Sequence, residues 1–209
     1  MITIEQFSRI VTAVHDAAVE PARWVDAMSL TRTALNGSGC GLITGGLDRD
    51  IASCSVPDTE ALETYAARFR SLDYVLDAVE SGPLGLVHSG ERLVALNPRS
   101  EFHADWMRRF AMDDGVFVRL TGGSRPRTFL VAAPRRAESF ATAENVRAIN
   151  ALVPHLQMAL RTQQSLADLR TDALTGLHPV DTFTAPAAVV GADMTVKHLN
   201  SAADALLRC

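Results

Sequence analysis

The sequence predicts an α+β fold, an α/β sandwich in which an antiparallel sheet is flanked by helices and followed by a long helix and a short β-β-α segment. Three observations predict it. Apolar residues recur at spacings of three and four in an opening stretch and again from residue 142 onward, the signature of amphipathic helices. Between those stretches lie short β-prone runs joined by Gly- and Pro-rich turns, which is how antiparallel hairpins read. The 209 residues are 47% hydrophobic and 21% charged, enough for a real core, and no segment approaches the roughly 20 apolar residues of a membrane span.

Residues 4–18 place Phe7, Ile10, Val11, Val14 and Ala18 on one helical face, with Thr3 as cap. Pro21 suits a first helical turn, and a second helix carries Trp24, Val25, Met28 and Leu35 until Asn36-Gly37 stops it. Residues 40–44 and 51–56 are strands of a hairpin turned by residues 45–50. Asp58 or Thr59 caps a helix bearing Leu62, Tyr65, Ala66 and Phe69, and residues 73–79 form a further helical turn. The apolar runs 84–88 and 93–96, around Ser89-Gly90-Glu91, are read as an edge-like strand region, before Asn97-Pro98 breaks the chain ahead of an aromatic helix at about 100–110. Residues 116–120 and 128–132 flank a turn-rich insert and make the central hairpin of the sheet; the sheet order is open at this point.

From Thr142 the pattern is helical again, with Val146, Ile149, Val153, Leu156 and Leu160 in one stripe and Leu152, Ala159, Leu166 and Leu169 in a second. Pro154 lacks a backbone donor and is expected to bend this helix. So wide an apolar face calls either for the domain's own sheet or for a partner helix, the latter especially over 160–169. Residues 174–184, with Gly176 and Pro179, read as a loop and boundary. Beyond it, 187–190 and 195–199 are strands around Gly191-Ala192-Asp193, and Asn200 caps a final helix. The division expected is a domain over 1–165, a linker over 166–184 and an incomplete unit over 185–209.

A formal charge of −4 and an isoelectric point near 5.8 argue against phosphate-backbone binding by this chain. The first six residues have neither a basic nor an apolar leader region, so the protein is expected in the cytoplasm. Cys40, Cys54 and Cys209 fit no metal clip or disulfide framework; Cys40 and Cys54 are either inert buried thiols or a redox pair. No G-x-S-x-G elbow, Walker-type phosphate loop or H-E-x-x-H helix is present, and Gly37-Ser38-Gly39-Cys40-Gly41 precedes a strand rather than opening a helix, so dinucleotide binding lacks its context. The six histidines include no i, i+4 pair, so no metal site is assigned; His155 is a polar contact at the helix kink, an interface group or a ligand. His88 and Ser89 alternate across a strand and cannot pair as a catalytic couple. Arg125, Arg127, Arg135 and Arg136 form a basic cluster, a solvated face or a contact for an acidic partner. No catalytic residue and no cofactor are assigned, and the chain is not expected to be an enzyme.

Two resemblances carry the functional expectation. Ala188-Val189-Val190-Gly191-Ala192-Asp193 followed by Val196-Lys197-His198-Leu199-Asn200-Ser201-Ala202-Ala203 is similar to the start of a PAS domain. Three stretches resemble the N-terminal half of LuxR-type helix-turn-helix transcription regulators: residues 17–24 (AAVEPARW), 100–106 (SEFHADW) and 152–160 (LVPHLQMAL). The resemblance implies a GAF-like sensor over 1–165 ending in a dimerisation helix, a partial PAS-like β-β-α segment, and a DNA-binding helix-turn-helix that this chain does not contain. The PAS-like segment is expected to end after its first helix either because the chain is truncated or because the second module is minimal.

The aromatic residues come from helical segments next to the predicted sheet, and the resemblance implies that a ligand sits between that sheet and those helices. Tyr65, Phe69, Tyr74, Phe102 and Trp106, with Asp73 as the polar contact, are therefore the expected ligand-binding residues, weighed against plain core packing. The chain departs from the acyl-homoserine-lactone sensors, because no Pro follows Asp73 and no Trp stands at their helix position, which argues against that ligand. Val153, Leu156, Leu160, Leu166 and Leu169 are the expected homodimer interface. The implied function is a signal-sensing, dimerising region that binds a small apolar or amphipathic effector and repositions a DNA-binding domain; the alternatives are a ligand-free interaction scaffold or an enzyme of unfamiliar sequence.

Overall fold

The computed structural model describes residues 2–46, 49–190 and 196–208, and their side chains except those of 171–179 and 197. They fall into two compact units, Met1–Arg161 and Thr162–Cys209.

In the first unit, β1 (Gly39–Thr44), β2 (Asp50–Ser55), β3 (Val87–Ser89), β4 (Asp114–Arg119) and β5 (Arg127–Ala133) form a five-stranded sheet in the order β2-β1-β5-β4-β3. All pairings are antiparallel. The two expected hairpins are present, and β5 joins them, pairing with both β1 and β4. Leu47 and Asp48 of the first turn lie outside the described residues. The strands read as unbroken apolar runs because the sheet is covered on both faces. Cys40, Leu42, Val116, Val118, Phe129 and Val131 enter one core; Ile43, Phe117, Leu130 and Ala132 face the other. At Gly115 the backbone takes φ +142°, and a Cβ there would sit 2.2 Å from the Val131 carbonyl oxygen, so β4 approaches β5 as only glycine permits.

The first face is closed by α1 (Ile4–Val19), α2 (Trp24–Ala34) and the first part of α6 (Ala143–Asp181). Thr3 and Gln6 cap α1 reciprocally in a capping box, and Thr142 accepts from the Asn145 amide at the start of α6. Helix α6 runs on through Pro154. Leu152, Val153, Leu156, Ala159 and Leu160 are all buried against α1, α2 and the sheet. Val153, Leu156 and Leu160, expected at a dimer interface, thus pack in the unit's own core, the alternative that so wide an apolar face allowed. Leu166 is half-buried and Leu169 is exposed.

The second face carries α3 (Thr59–Ala67), a 3₁₀ turn (Phe69–Leu72), α4 (Tyr74–Ser81), α5 (Gly90–Val94) and a π-helix (Phe102–Met107). Asp58 caps α3 and Asp73 caps α4. The edge-like region is strand only at Val87–Ser89; Leu93 belongs to α5, which turns the chain away once the Asp114 carboxylate accepts from the Glu91 amide at 3.0 Å. The same carboxylate accepts from Gly115 and Phe140, both at 2.7 Å, tying the chain before α6 to β4. The aromatic helix is a π-helix, with the Arg108 amide donating to the His103 carbonyl at 3.1 Å.

In the second unit, α6 continues to Asp181 where a loop from residue 174 was expected. Gly176 and Pro179 cost a helix about 1 and about 3 kcal/mol without obliging it to stop. The chain turns where the Asn200 amide takes the carbonyls of Val180, Phe183 and Ala185 at 3.3, 3.0 and 2.8 Å. The Asn200 oxygen accepts from the Ala187 and Ala203 amides, both at 2.9 Å, so one fully buried side chain joins the antiparallel pair β6 (Ala188–Val190) and β7 (Val196–Leu199) to α7 (Ser201–Leu207), which it caps. The expected turn at residues 191–193 lies outside the described residues, as does Cys209.

A candidate ligand cavity between the sheet and the aromatic helices

Short and bulky residues meet unevenly on the second face. Gly39 and Gly41 leave the surface of β1 bare, while the π-helix delivers two large rings above it. Phe102 and Trp106 stack with centroids 5.2 Å apart and planes 13° apart, and Tyr65 of α3 packs on Trp106 at 5.2 Å. A cavity of about 70 Å³ remains beneath them. Its floor is Gly41, Ile43, Cys54, Phe117, Leu130 and Ala132 from the sheet; its roof is Leu62, Tyr65, Phe102, Trp106 and Met107, with Val75 and Leu76 of α4 at one side.

The wall is carbon and sulfur apart from Asp73 and Tyr65. The Tyr65 hydroxyl donates to Asp73 Oδ2 at 2.9 Å, and the Leu76 amide donates to Asp73 Oδ1, also at 2.9 Å. Burial pushes the Asp73 carboxyl up to about 6, against the Leu76 amide, Arg49 and Tyr65, which favour its ionised form. Burial and then the adjacent Asp73 carboxylate raise the Tyr65 hydroxyl. Each Asp73 oxygen has accepted one hydrogen bond and has a lone pair left, so a donor inside the cavity would find an acceptor there. Trp106 offers the cavity no free donor, because its indole N–H already donates to the Ala61 carbonyl at 3.1 Å and Thr64 Oγ1 at 3.2 Å.

Of the six residues expected to bind a ligand, Tyr65, Asp73, Phe102 and Trp106 line the cavity. Phe69 and Tyr74 do not: both pack on the Phe102 ring from behind, and the Tyr74 hydroxyl is spent on the Val94 carbonyl at 3.1 Å. Helical spacing groups all these aromatics on neighbouring elements, but only side-chain direction separates wall from backing. Sequence reasoning missed the sulfur-bearing wall of Cys54, Met107 and Met112, and it missed Arg49. Arg49 is buried, donates to the carbonyls of Arg70 and Asp73 at 3.2 and 3.3 Å, and meets Asp77 at 2.6 Å and Glu80 at 3.4 Å, pinning the Asp73 loop to the start of β2. A lone Arg in a turn carries no signal of this. Cys40 points into the first core, against Met28 at 3.5 Å, where burial raises its thiol; Cys54 lines the cavity from the opposite face. Both are free thiols. His155 forms a ring-to-ring contact with His15, at 3.2 Å between Nδ1 and Nε2. Among the described residues no cluster of three or more His, Cys, Asp or Glu could hold a metal ion, and no helix is long and apolar enough to cross a membrane.

No protein-family model matches the sequence, and no curated protein is detectably similar to it. Solved structures are similar in fold. The VqsR ligand-binding domain from Pseudomonas aeruginosa superposes with a TM-score of 0.57 at 12% identity, over 77% of this chain and 95% of that one. The N-acylhomoserine-lactone-dependent LuxR-family transcription factor CepR2 from Burkholderia cenocepacia gives 0.53 at 15% identity, over 75% and 94%. The photoproduct state of a GAF3 domain from Synechocystis gives 0.50 at 19% identity, over 78% and 98%. At such identities the likeness is one of fold, and the fold of this chain is the GAF-like α+β sandwich of these domains.

Proposed function

We propose that this chain is the signal-receiving region of a LuxR-type transcription regulator. It acts by binding, not by catalysis. The observation that carries this reading is the apolar cavity roofed by Tyr65, Phe102 and Trp106, with one buried acceptor, Asp73, as its polar contact. Small-molecule sites have this composition, apolar walls with few oriented polar groups. The fold shared with VqsR and CepR2 supports the same assignment.

In this reading a small apolar or amphipathic effector fills the cavity, where Asp73 accepts from any donor it carries, α6 carries the change, and DNA is contacted only by a segment outside this chain. The effector must favour one arrangement over the other by differential affinity, since equal affinity for both shifts nothing. A homodimer would form through the C-terminal part of α6, where Leu166 and Leu169 are not buried in the first core. Two measurements test this. Native mass spectrometry of the purified chain and of Leu166→Glu/Leu169→Glu reads the dimer, which the double variant should abolish. Emission of Trp106 in a Trp24→Phe background, titrated with a panel of small apolar compounds, reads the cavity. A response to no compound, with a monomer throughout, overturns the proposal.

One observation favours the alternative of a ligand-free scaffold. The cavity of about 70 Å³ is smaller than the roughly 150 Å³ that holds a benzene ring in an engineered core, so an effector must be compact or must widen the site.

A further inference from the structure

The cavity adjoins a second cleft that is largely apolar and carries charge only at its rim. Ile51, Cys54, Leu62 and Tyr65 line the cavity and also line this cleft of about 270 Å³, which extends between β2 and α3 to Asp50, Ala66 and Arg70. The partition between the two spaces is thus made of side chains. Among the described residues no hydrogen bond joins α3 to β2; α3 is held from its other side, by the Trp106 indole on the Ala61 carbonyl and by the Arg109–Glu60 ion pair at 2.6 Å. Leu62 and Ile51 are half-buried, and no hydrogen bond between α3 and β2 would have to break for their side chains to change rotamer.

Charge is arranged in opposite senses at the two ends. The inner end holds the Asp73 carboxyl, which repels an anion when ionised. The outer end holds Arg70, whose Nη1 donates to the Arg49 carbonyl at 3.0 Å and so anchors the guanidinium at the rim. Arg70 forms no ion pair among the described residues, whereas the buried Arg49 behind it is committed to Asp77 and Glu80. Asp50, on the same rim, lies within electrostatic reach of Arg127.

We propose that the site takes an anion-headed amphipathic molecule: the apolar chain passes between β2 and α3 into the cavity, and the anionic head stays in the cleft on Arg70. This rests on the reading of the cavity as a ligand site. An anion placed inside would face Asp73 in a low dielectric with no cation on the wall, while the cleft offers a preset, solvated guanidinium.

The test uses the full chain carrying Trp24→Phe, with Trp106 as reporter, titrated with straight-chain carboxylic acids of four to ten carbons and with the primary alcohols of equal length. The acids are expected to bind about three- to tenfold tighter than the alcohols at low salt, and the preference to shrink as salt screens the head. Arg70→Gln is expected to erase the preference while leaving the alcohols unchanged, and Arg70→Lys to keep part of it. Alcohols binding as well as acids, or a preference that survives in Arg70→Gln, overturns the anionic head and leaves the cavity reading standing. No response to either series, or the same response from Ala132→Phe, which fills the cavity, overturns this inference, and the cavity reading falls with it when the wider panel of small apolar compounds is silent too.

Discussion

The two faces of one sheet are built to different ends. On the first, Val116, Val118, Phe129 and Val131 meet Ile10, Val14, Met28, Ile149 and Leu156, nearly all aliphatic and nearly all inaccessible. On the second, glycine on β1 faces stacked aromatic rings on a π-helix, a carboxyl and a hydroxyl are buried together, and space remains. The difference shows how a sandwich divides its work: one helical layer supplies stability, and the other can hold polar groups and a void, both of which cost free energy.

The largest expected effect breaks the stabilising face alone. Phe129→Ala should lower unfolding stability by about 3–5 kcal/mol in urea titrations while leaving the emission of Trp106 in the folded protein unchanged. A shifted emission would mean that the two layers are coupled through the sheet.

The next effect belongs to the site face and is pH-dependent. Asp73 has its folded pKa raised from 3.8 to about 6, so the folded state holds its proton more tightly than the unfolded state. The contribution to stability is therefore complete below about pH 4 and is lost as pH rises to about 6, by about 3 kcal/mol. Asp73→Asn keeps an acceptor for the Leu76 amide and should flatten that interval of a stability-against-pH curve. An unchanged curve would assign the titration elsewhere.

Tyr65→Phe is expected to cost about 1 kcal/mol by removing the bond to Asp73. It should also move the Asp73 titration, followed by carboxyl NMR shifts, to higher pH, because that bond favours the ionised form. A downward move would contradict the assigned geometry. The smallest effect compares two glycines. A Cβ at Gly41 would meet its nearest neighbour at an ordinary 3.7 Å, so Gly41→Ala should stabilise by up to about 1 kcal/mol while narrowing the cavity. Gly115→Ala, which would place a Cβ 2.2 Å from the Val131 oxygen, should destabilise instead. Thermal melts of both variants read the sign.

Much of the fold was legible because it rests on local chemistry. Thr3, Asp58 and Asn200 announce the helices they cap, and Asn36-Gly37 ends α2 with Asn36 at φ 56°. The candidate site was legible in part. Tyr65, Asp73, Phe102 and Trp106 converge as the aromatic pattern and the family resemblance implied, while Phe69 and Tyr74 fall one layer behind. Arg49 was hidden, since burying a guanidinium depends on partners more than twenty residues away in sequence.

By itself, the sequence determined the α+β class, the two hairpins, the caps and the aromatic character of one helical layer, because propensity, periodicity and capping act within a few residues. Only the tertiary structure decided that β5 joins the hairpins, that Val153, Leu156 and Leu160 are consumed by their own core, and that helix α6 outlasts Gly176 and Pro179. It also decided that a void lies beneath Trp106, for an apolar residue carries no mark of which apolar surface will cover it. The hydrophobic effect is non-directional, and the choice between self and partner, or between solid core and cavity, is made by how distant segments fit.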